Sequence, residues 1–401
     1  MNGFLQLFEG VANFFGPDLA TVCVRSLLLA CGAVFIYGGY KKTLEPLIMI
    51  PMGLGMCLVN TGILALPGGR TGNLFVNSMA GSTNEIVTSL QIYFLQPVYT
   101  LMFANGLIAC LVFMGIGVMT DLDYLIKRPF YSFFLAVAAE LGTFLTLPIA
   151  WLMGFNFKDA ASIAMIGGAD GPMVIYTSIS LSPDLFVVIT IVGYLYLSIV
   201  YALYPYMIRL FIPRRLWGIE MEEEEGPRIT SRQKFVFSAV ICVLFSLLFP
   251  VASPLIGSFF MGVIVKEAGI ERYRRFLDEV VLSGSTFFLG FVLGTLVSAE
   301  VIMDPRVFLI LVLGITALIL SGLGGIAGGL ILYRLSGGKV NPLIGIAGVS
   351  CVPTTVKVAQ KCAAEVNPRA VIMVHAMGAN VAGVITTAII CACYITFGKN
   401  W

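Results

Sequence analysis

Several stretches of this chain, 307–333 and 371–397 among them, run for about 20 residues or more without a charged side chain. As helix, each is long enough to cross about 30 Å of hydrocarbon. Inside lipid every backbone donor and acceptor must find its partner within the protein. The chain therefore reads as an all-α polytopic membrane protein. Charged residues make up only 11%, against about 25% in a soluble domain. Short alternating segments of the kind that build a β-barrel are not present. A net charge of +2 with no basic stripe gives no support for nucleic-acid binding. The nine cysteines are scattered without a CxxC pair, so they read as soft fillers rather than as a zinc or disulfide framework.

Candidate spans are 19–40, 44–66, 97–119, 130–153, 185–212, 235–252, 254–266, 280–298, 307–333 and 371–397. Residues 1–18 lack a positive n-region and are expected to form an interfacial segment. A charged connector, 213–234, separates a first half (19–212) from a second (235–401). Two further apolar segments, 159–180 and 340–362, are rich in Gly, Pro, Ser and Thr and read as re-entrant broken hairpins. Lys41/Lys42, Lys127/Arg128, Arg214/Arg215, Arg232/Lys234, Lys266/Arg272 and Arg334/Lys339 belong on the cytoplasmic side, whereas 67–96 carries only Arg70. About ten spans and two hairpins satisfy these clusters. The first hairpin then opens from outside and the second from the cytoplasm. Two halves of opposite orientation are a transporter signature, with sites near the midplane at discontinuous helices.

Gly167, Gly168, Gly171 and Pro172 interrupt the first hairpin around Asp170; Gly345, Gly348 and Pro353 interrupt the second around Ser350. Freed carbonyls, hydroxyls, amides and a carboxylate form an oxygen donor set suited to a hard cation. The side-chain candidates are Asp170, Asn341, Ser350, Thr354, Thr355 and Asn380. An ionised Asp at mid-membrane costs on the order of 3 kcal/mol, so a cation partner is expected; the alternative is that Asp170 merely caps a half-helix. Lys357 sits four residues before Lys361 and could hold a carboxylate, whereas Lys361 reads as snorkelling. Tyr196 is a candidate proton donor or a packing residue, and Glu140 a second ion or proton site or a paired structural acid. His375 is the single histidine, so no histidine cluster exists. The acidic run at Glu222–Glu225 reads as a solvated loop, and the Ser-Gly-Gly-Lys stretch before Val340 lacks phosphate-loop spacing.

"Ile-Gly-Gly-Ala-Asp-Gly-Pro" (166–172), "Gly-Lys-Val-Asn-Pro-Leu-Ile-Gly-Ile-Ala-Gly-Val-Ser-Cys-Val-Pro" (338–353), "His-Ala-Met-Gly-Ala-Asn-Val-Ala-Gly-Val-Ile" (375–385) and "Gly-Ile-Gly-Val-Met-Thr-Asp" (115–121) closely resemble the β subunit of sodium-pumping, biotin-dependent decarboxylases. That family acts with oxaloacetate, methylmalonyl-CoA, glutaconyl-CoA or malonate. The resemblance implies a subunit that decarboxylates carboxybiotin and couples this to Na+ export across the bacterial cytoplasmic (inner) membrane. It places the family's essential aspartate on Asp170, its tyrosine on Tyr196, and its asparagine, glycine and serine on Asn341, Gly345 and Ser350. Its later asparagine falls on Asn380. Lys357 stands where the family pattern has arginine; lysine keeps the charge but lacks the planar fork. The family's partners are a biotin carrier subunit, a carboxyltransferase α subunit and a small membrane γ/δ subunit. The biotin is not covalently on this chain, which has no Met-Lys-Met motif. A homotrimer in membrane lipid, with a scaffold region and an elevator-like core, is also implied.

On this reading Asp170, Tyr196 and Lys357 carry the chemistry, with Lys357, Ser350 and Asn380 facing the biotin. Asp170, Asn341, Gly345, Ser350, Thr354 and Asn380 hold sodium. The rival is a secondary Na+/carboxylate symporter of elevator type, which would need the same hairpins but would ignore a biotin carrier.

Overall fold

A computed structural model describes residues 8–15, 18–66, 70–78, 83–221, 229–351 and 354–399. In chain order the main elements are α1 (Leu19–Tyr40), α2 (Pro46–Thr61), β1 (Leu64–Leu66), β2 (Arg70–Gly72), α3 (Leu107–Met119), α4 (Pro129–Ala139), α5 (Leu141–Leu152), α6 (Phe157–Ala164), α7 (Gly171–Leu181) and α8 (Phe186–Phe211). They are followed by α9 (Ser231–Leu248), α10 (Ser253–Glu267), α11 (Ser283–Leu296), α12 (Pro305–Leu335), α13 (Thr354–Val366) and α14 (Met373–Gly398). Polar residues at the boundaries set where helices begin. Asp18 caps α1 by accepting from the Thr21 hydroxyl at 2.7 Å, and Thr230 with Gln233 forms a capping box before α9.

The expected spans fall largely on helix, although 44–66 runs past the end of α2 into β1. Among the described residues, seven helices are long and apolar enough to cross a membrane. Gln96–Phe103 with Leu107–Met119, bent by 67°, makes an eighth. The expected span at 97–119 is thus broken, and α2 is shorter than expected at 16 residues. The all-α expectation needs one correction: β1 and β2 form a small antiparallel pair with Leu64 opposite Gly72. Strands of three residues are too short to leave an alternating pattern in the sequence. In the expected interfacial segment, a helix covers Glu9–Phe15, with Phe8, Val11 and Phe15 exposed. Pro353 and the acidic run at Glu222–Glu225 lie outside the described residues.

The chain divides into two compact units, each drawing on both halves of the sequence. One comprises Met1–Ile108 and Ser283–Leu309. In it α2 packs against α1 and α11. Asn60 pins the contact by donating to the carbonyls of Met56 and Val297, both at 2.8 Å, and accepting from the Ala299 amide at 3.1 Å.

The other unit comprises Ala109–Leu282 and Ile310–Trp401 and contains both broken segments. At one end of it Lys234 meets Asp121 at 3.1 Å and also Asp123, and Lys266 donates to the Thr120 carbonyl at 2.6 Å. The end of α3, the start of α9 and the end of α10 therefore lie side by side. Burial alone would raise the Asp121 carboxyl, but the Asp123 amide and the Lys234 ammonium hold it below its ordinary value. Its contribution to stability is then complete above about pH 4 and is lost as pH falls through the lowered value. Lys234→Met, which strands two carboxylates, should lower the unfolding temperature by several degrees at neutral pH. The deficit should shrink on acidification, as read by thermal scanning in detergent.

Candidate functional site

The first broken segment is a hairpin whose base is closed by a bond across its two ends. Ser182, just after α7, donates to Asp159 near the start of α6 at 2.5 Å. Between them α6 passes into a 3-10 turn, Met165–Gly168, and Ala169 adopts a left-handed backbone with φ +52°. That conformation is costly for a residue with a Cβ and persists only where surrounding structure enforces it. It sets Asp170 as the extended cap of α7. One Asp170 oxygen accepts from the Met173 amide at 3.4 Å, while the other, Oδ2, is buried with no hydrogen-bond partner. Tyr194 packs onto the start of α7: a Cβ at Gly171 would lie 2.5 Å from its hydroxyl, which is also buried without a partner.

The second hairpin begins with Asn341, runs as a 3-10 helix through Pro342–Gly348, and returns along α13. Its 3-10 arm lies against α12 so closely that a Cβ at Gly345 would stand 2.1 Å from the Gly325 carbonyl oxygen. Only glycine permits that approach of backbone to backbone.

The two tips meet inside the protein. Ser350 donates to the Gly168 carbonyl at 2.6 Å and lies 3.0 Å from the Thr387 hydroxyl. Thr387 in turn donates to Glu140 Oε1, and Thr143 donates to Glu140 Oε2 at 2.5 Å. Glu140 is buried at the junction between α4 and α5. From α14, Asn380 donates to the carbonyls of Ala347 and Val349, each at 2.9 Å, and contacts the Thr355 hydroxyl at 3.1 Å. Its own carbonyl oxygen, Oδ1, is buried without a partner.

Asp170, Ser350, Thr355 and Asn380 are therefore gathered at or beside the tips, and Thr354 is buried at the start of α13. Gly345 contributes close packing along the arm. Three other residues stand elsewhere. The Tyr196 hydroxyl donates to the Leu311 carbonyl on α12. Asn341 is buried at the hairpin's base, donating to the carbonyls of Trp217 and Ile219 at 2.8 and 2.9 Å. Lys357 is exposed on α13. Sequence reasoning missed Tyr194, Thr143 and Thr387. Thr387 had a signal, since Asn380, Gly383 and Thr387 follow an i, i+3, i+7 stripe.

A buried carboxylate oxygen and a buried amide oxygen, neither with a partner, beside further hydroxyls and carbonyls, fit a hard monovalent or divalent cation better than a soft metal. Among the described residues no group of three or more His, Cys, Asp or Glu could hold a metal ion. The fold and this centre define a multi-pass membrane protein whose two broken hairpins converge on an oxygen-lined interior. The particular family follows from comparison. The family described as the Na+-transporting oxaloacetate decarboxylase beta subunit matches residues 24–397, and the chain belongs to it. It is 49% identical over 396 residues to a carboxybiotin decarboxylase of Malonomonas rubra, covering 99% of this chain and 98% of that one. It is 33% identical over 390 residues to methylmalonyl-CoA decarboxylase subunit beta of Veillonella parvula, covering 97% of each. A glutaconyl-CoA decarboxylase subunit beta of Acidaminococcus fermentans is 33% identical over 366 residues, covering 91% of each. The protein is thus a decarboxylase-translocase subunit of a biotin-dependent, sodium-transporting family.

Proposed function

We propose that this subunit binds sodium at the meeting hairpin tips and exports it from the cytoplasm, driven by decarboxylation of carboxybiotin that a carrier subunit brings to the cytoplasmic face. The observation that carries this reading is two buried oxygens without a hydrogen-bond partner, Asp170 Oδ2 at the first tip and Asn380 Oδ1 on the residue that bonds the second, with the tips joined through Ser350. A sodium ion there offsets the cost of burying the Asp170 charge. Lys357, exposed on α13, faces the substrate carboxylate, and its single ammonium replaces a two-bond guanidinium grip. Breaking the N–CO2 bond releases carbon dioxide and leaves an electron pair on the ureido nitrogen, which takes up a proton. Tyr194, whose hydroxyl is buried without a hydrogen-bond partner, has its proton unengaged, whereas the proton of Tyr196 is held by the Leu311 carbonyl.

In this reading ten spans form two inverted halves in the bacterial inner membrane. A core bearing both hairpins moves in an elevator-like way within a homotrimer, and carrier, carboxyltransferase α and small γ/δ subunits complete the complex. Loss of the substrate carboxylate changes which state of the core is favoured, and that difference in affinity couples chemistry to transport. The test is uptake of radioactive sodium by proteoliposomes in parallel with carbon dioxide release, triggered by carboxybiotin-loaded carrier. Both should appear together. Sodium movement that follows a free carboxylate and ignores the carrier would establish the symporter instead.

A further inference from the structure

The triplet Val-Asn-Pro occurs at 340–342 and again at 366–368, bracketing the second hairpin. The two asparagines behave alike. Each uses its side-chain oxygen to hold a local turn, Asn341 accepting from the Leu343 amide and Asn367 from the Arg369 amide, both at 3.0 Å. Each then aims its side-chain nitrogen at the segment that follows α8. Asn341 takes the carbonyls of Trp217 and Ile219. Asn367 takes the Gly218 carbonyl between them at 3.1 Å, and the Glu220 carboxylate at 2.8 Å. Three successive carbonyls are thus claimed alternately by the two ends of one hairpin. Trp217 fixes the segment in place: its ring is buried and its indole nitrogen donates to the Ile212 carbonyl at 3.0 Å. Gly218 lets it pass close, since a Cβ there would sit 3.0 Å from Asn367 Cβ.

We infer that the connector segment 217–220 is a latch across the cytoplasmic mouth of the second hairpin, and that Asn367 and Glu220 are positioning residues that hold it shut. Nothing in the Asn367 or Glu220 contacts touches the tip oxygens, so their effect on the ion passes through the mouth. The consequence for transport rests on the sodium-pump reading; the latch itself does not. A mouth held closed lowers the fraction of molecules competent to take sodium from the cytoplasm, which raises the apparent half-saturating concentration in proportion. Freeing it has the opposite sign.

The test uses the assembled complex in membranes. The native Cys351, buried in the turn beside Ser350, is the reporter. Its rate of reaction with a membrane-impermeant thiol reagent is read by peptide mass spectrometry. Asn367→Ala should raise that rate by about thirtyfold, as expected from losing two hydrogen bonds, one of them to a charged group, and should also lower the half-saturating sodium concentration for turnover. Asn367→Asp keeps the local turn but puts a carboxylate against Glu220, and should raise labelling at least as much. Glu220→Ala, at an exposed position that does not endanger folding, should give a smaller rise in the same direction. Unchanged labelling in Asn367→Asp and Glu220→Ala overturns the latch. So does faster labelling in Asn367→Ala alone, since it would trace the effect to the turn. If labelling rises as expected while the wild-type complex moves no sodium, the latch stands and the pump reading falls.

Discussion

Asp170→Asn should abolish sodium uptake and carboxybiotin decarboxylation together, each by two orders of magnitude or more, in protein that still folds. The substitution is informative because asparagine caps helices about as well as aspartate. The bond from the Met173 amide is retained, and only the charge of the partnerless oxygen goes. If Asp170 merely capped α7, the variant would turn over at near wild-type rate and keep its sodium dependence. Assays of sodium uptake and carbon dioxide release in reconstituted complex, across a sodium titration, separate the two cases.

Gly345→Ala should be strongly destabilising for a single added methyl group. The added Cβ stands 2.1 Å from the Gly325 carbonyl oxygen and 2.7 Å from the Gly329 amide nitrogen, so it meets main chain that cannot rotate away. Relief requires the hairpin arm to lift from α12. Overpacking of this kind costs about 3 kcal/mol, and the unfolding temperature in detergent should fall accordingly, with poor recovery of folded protein. Gly257→Ala is the control, since nothing lies within 4 Å of a Cβ there. A Gly345→Ala protein with normal thermal stability but weakened sodium affinity would instead assign the Gly345 backbone to the ion.

The sequence made the membrane helices legible because lipid imposes a length and a composition on each. It made the hairpin at Asp170 legible because glycine and proline within an apolar run have few other uses. Side-chain direction was harder. Tyr194 and Tyr196 are two residues apart on α8, about 200° around the helix, and nothing in the local sequence says which faces the Asp170 cap. Asn341 looks like an ion ligand as part of a polar cluster, yet its amide is fully engaged at the hairpin's base. Glu140 reads as an anomaly within one span until Thr143 and Thr387, the latter far away in the chain, are seen to claim both its oxygens. Register between distant helices decides such contacts, and one chain alone does not encode it visibly.

Helix α8 runs for 26 residues, about 39 Å, somewhat more than the hydrocarbon thickness of about 30 Å. It starts beside the base of the first hairpin, where the Leu185 amide bonds Ser182, and ends at the segment fastened to the second. Tyr196 and Tyr204 tie it to α12 through the carbonyls of Leu311 and Leu318. One continuous helix thus links the base of the first hairpin to the segment fastened to the second, and a substitution that kinks or shortens it would reach both hairpin bases at once.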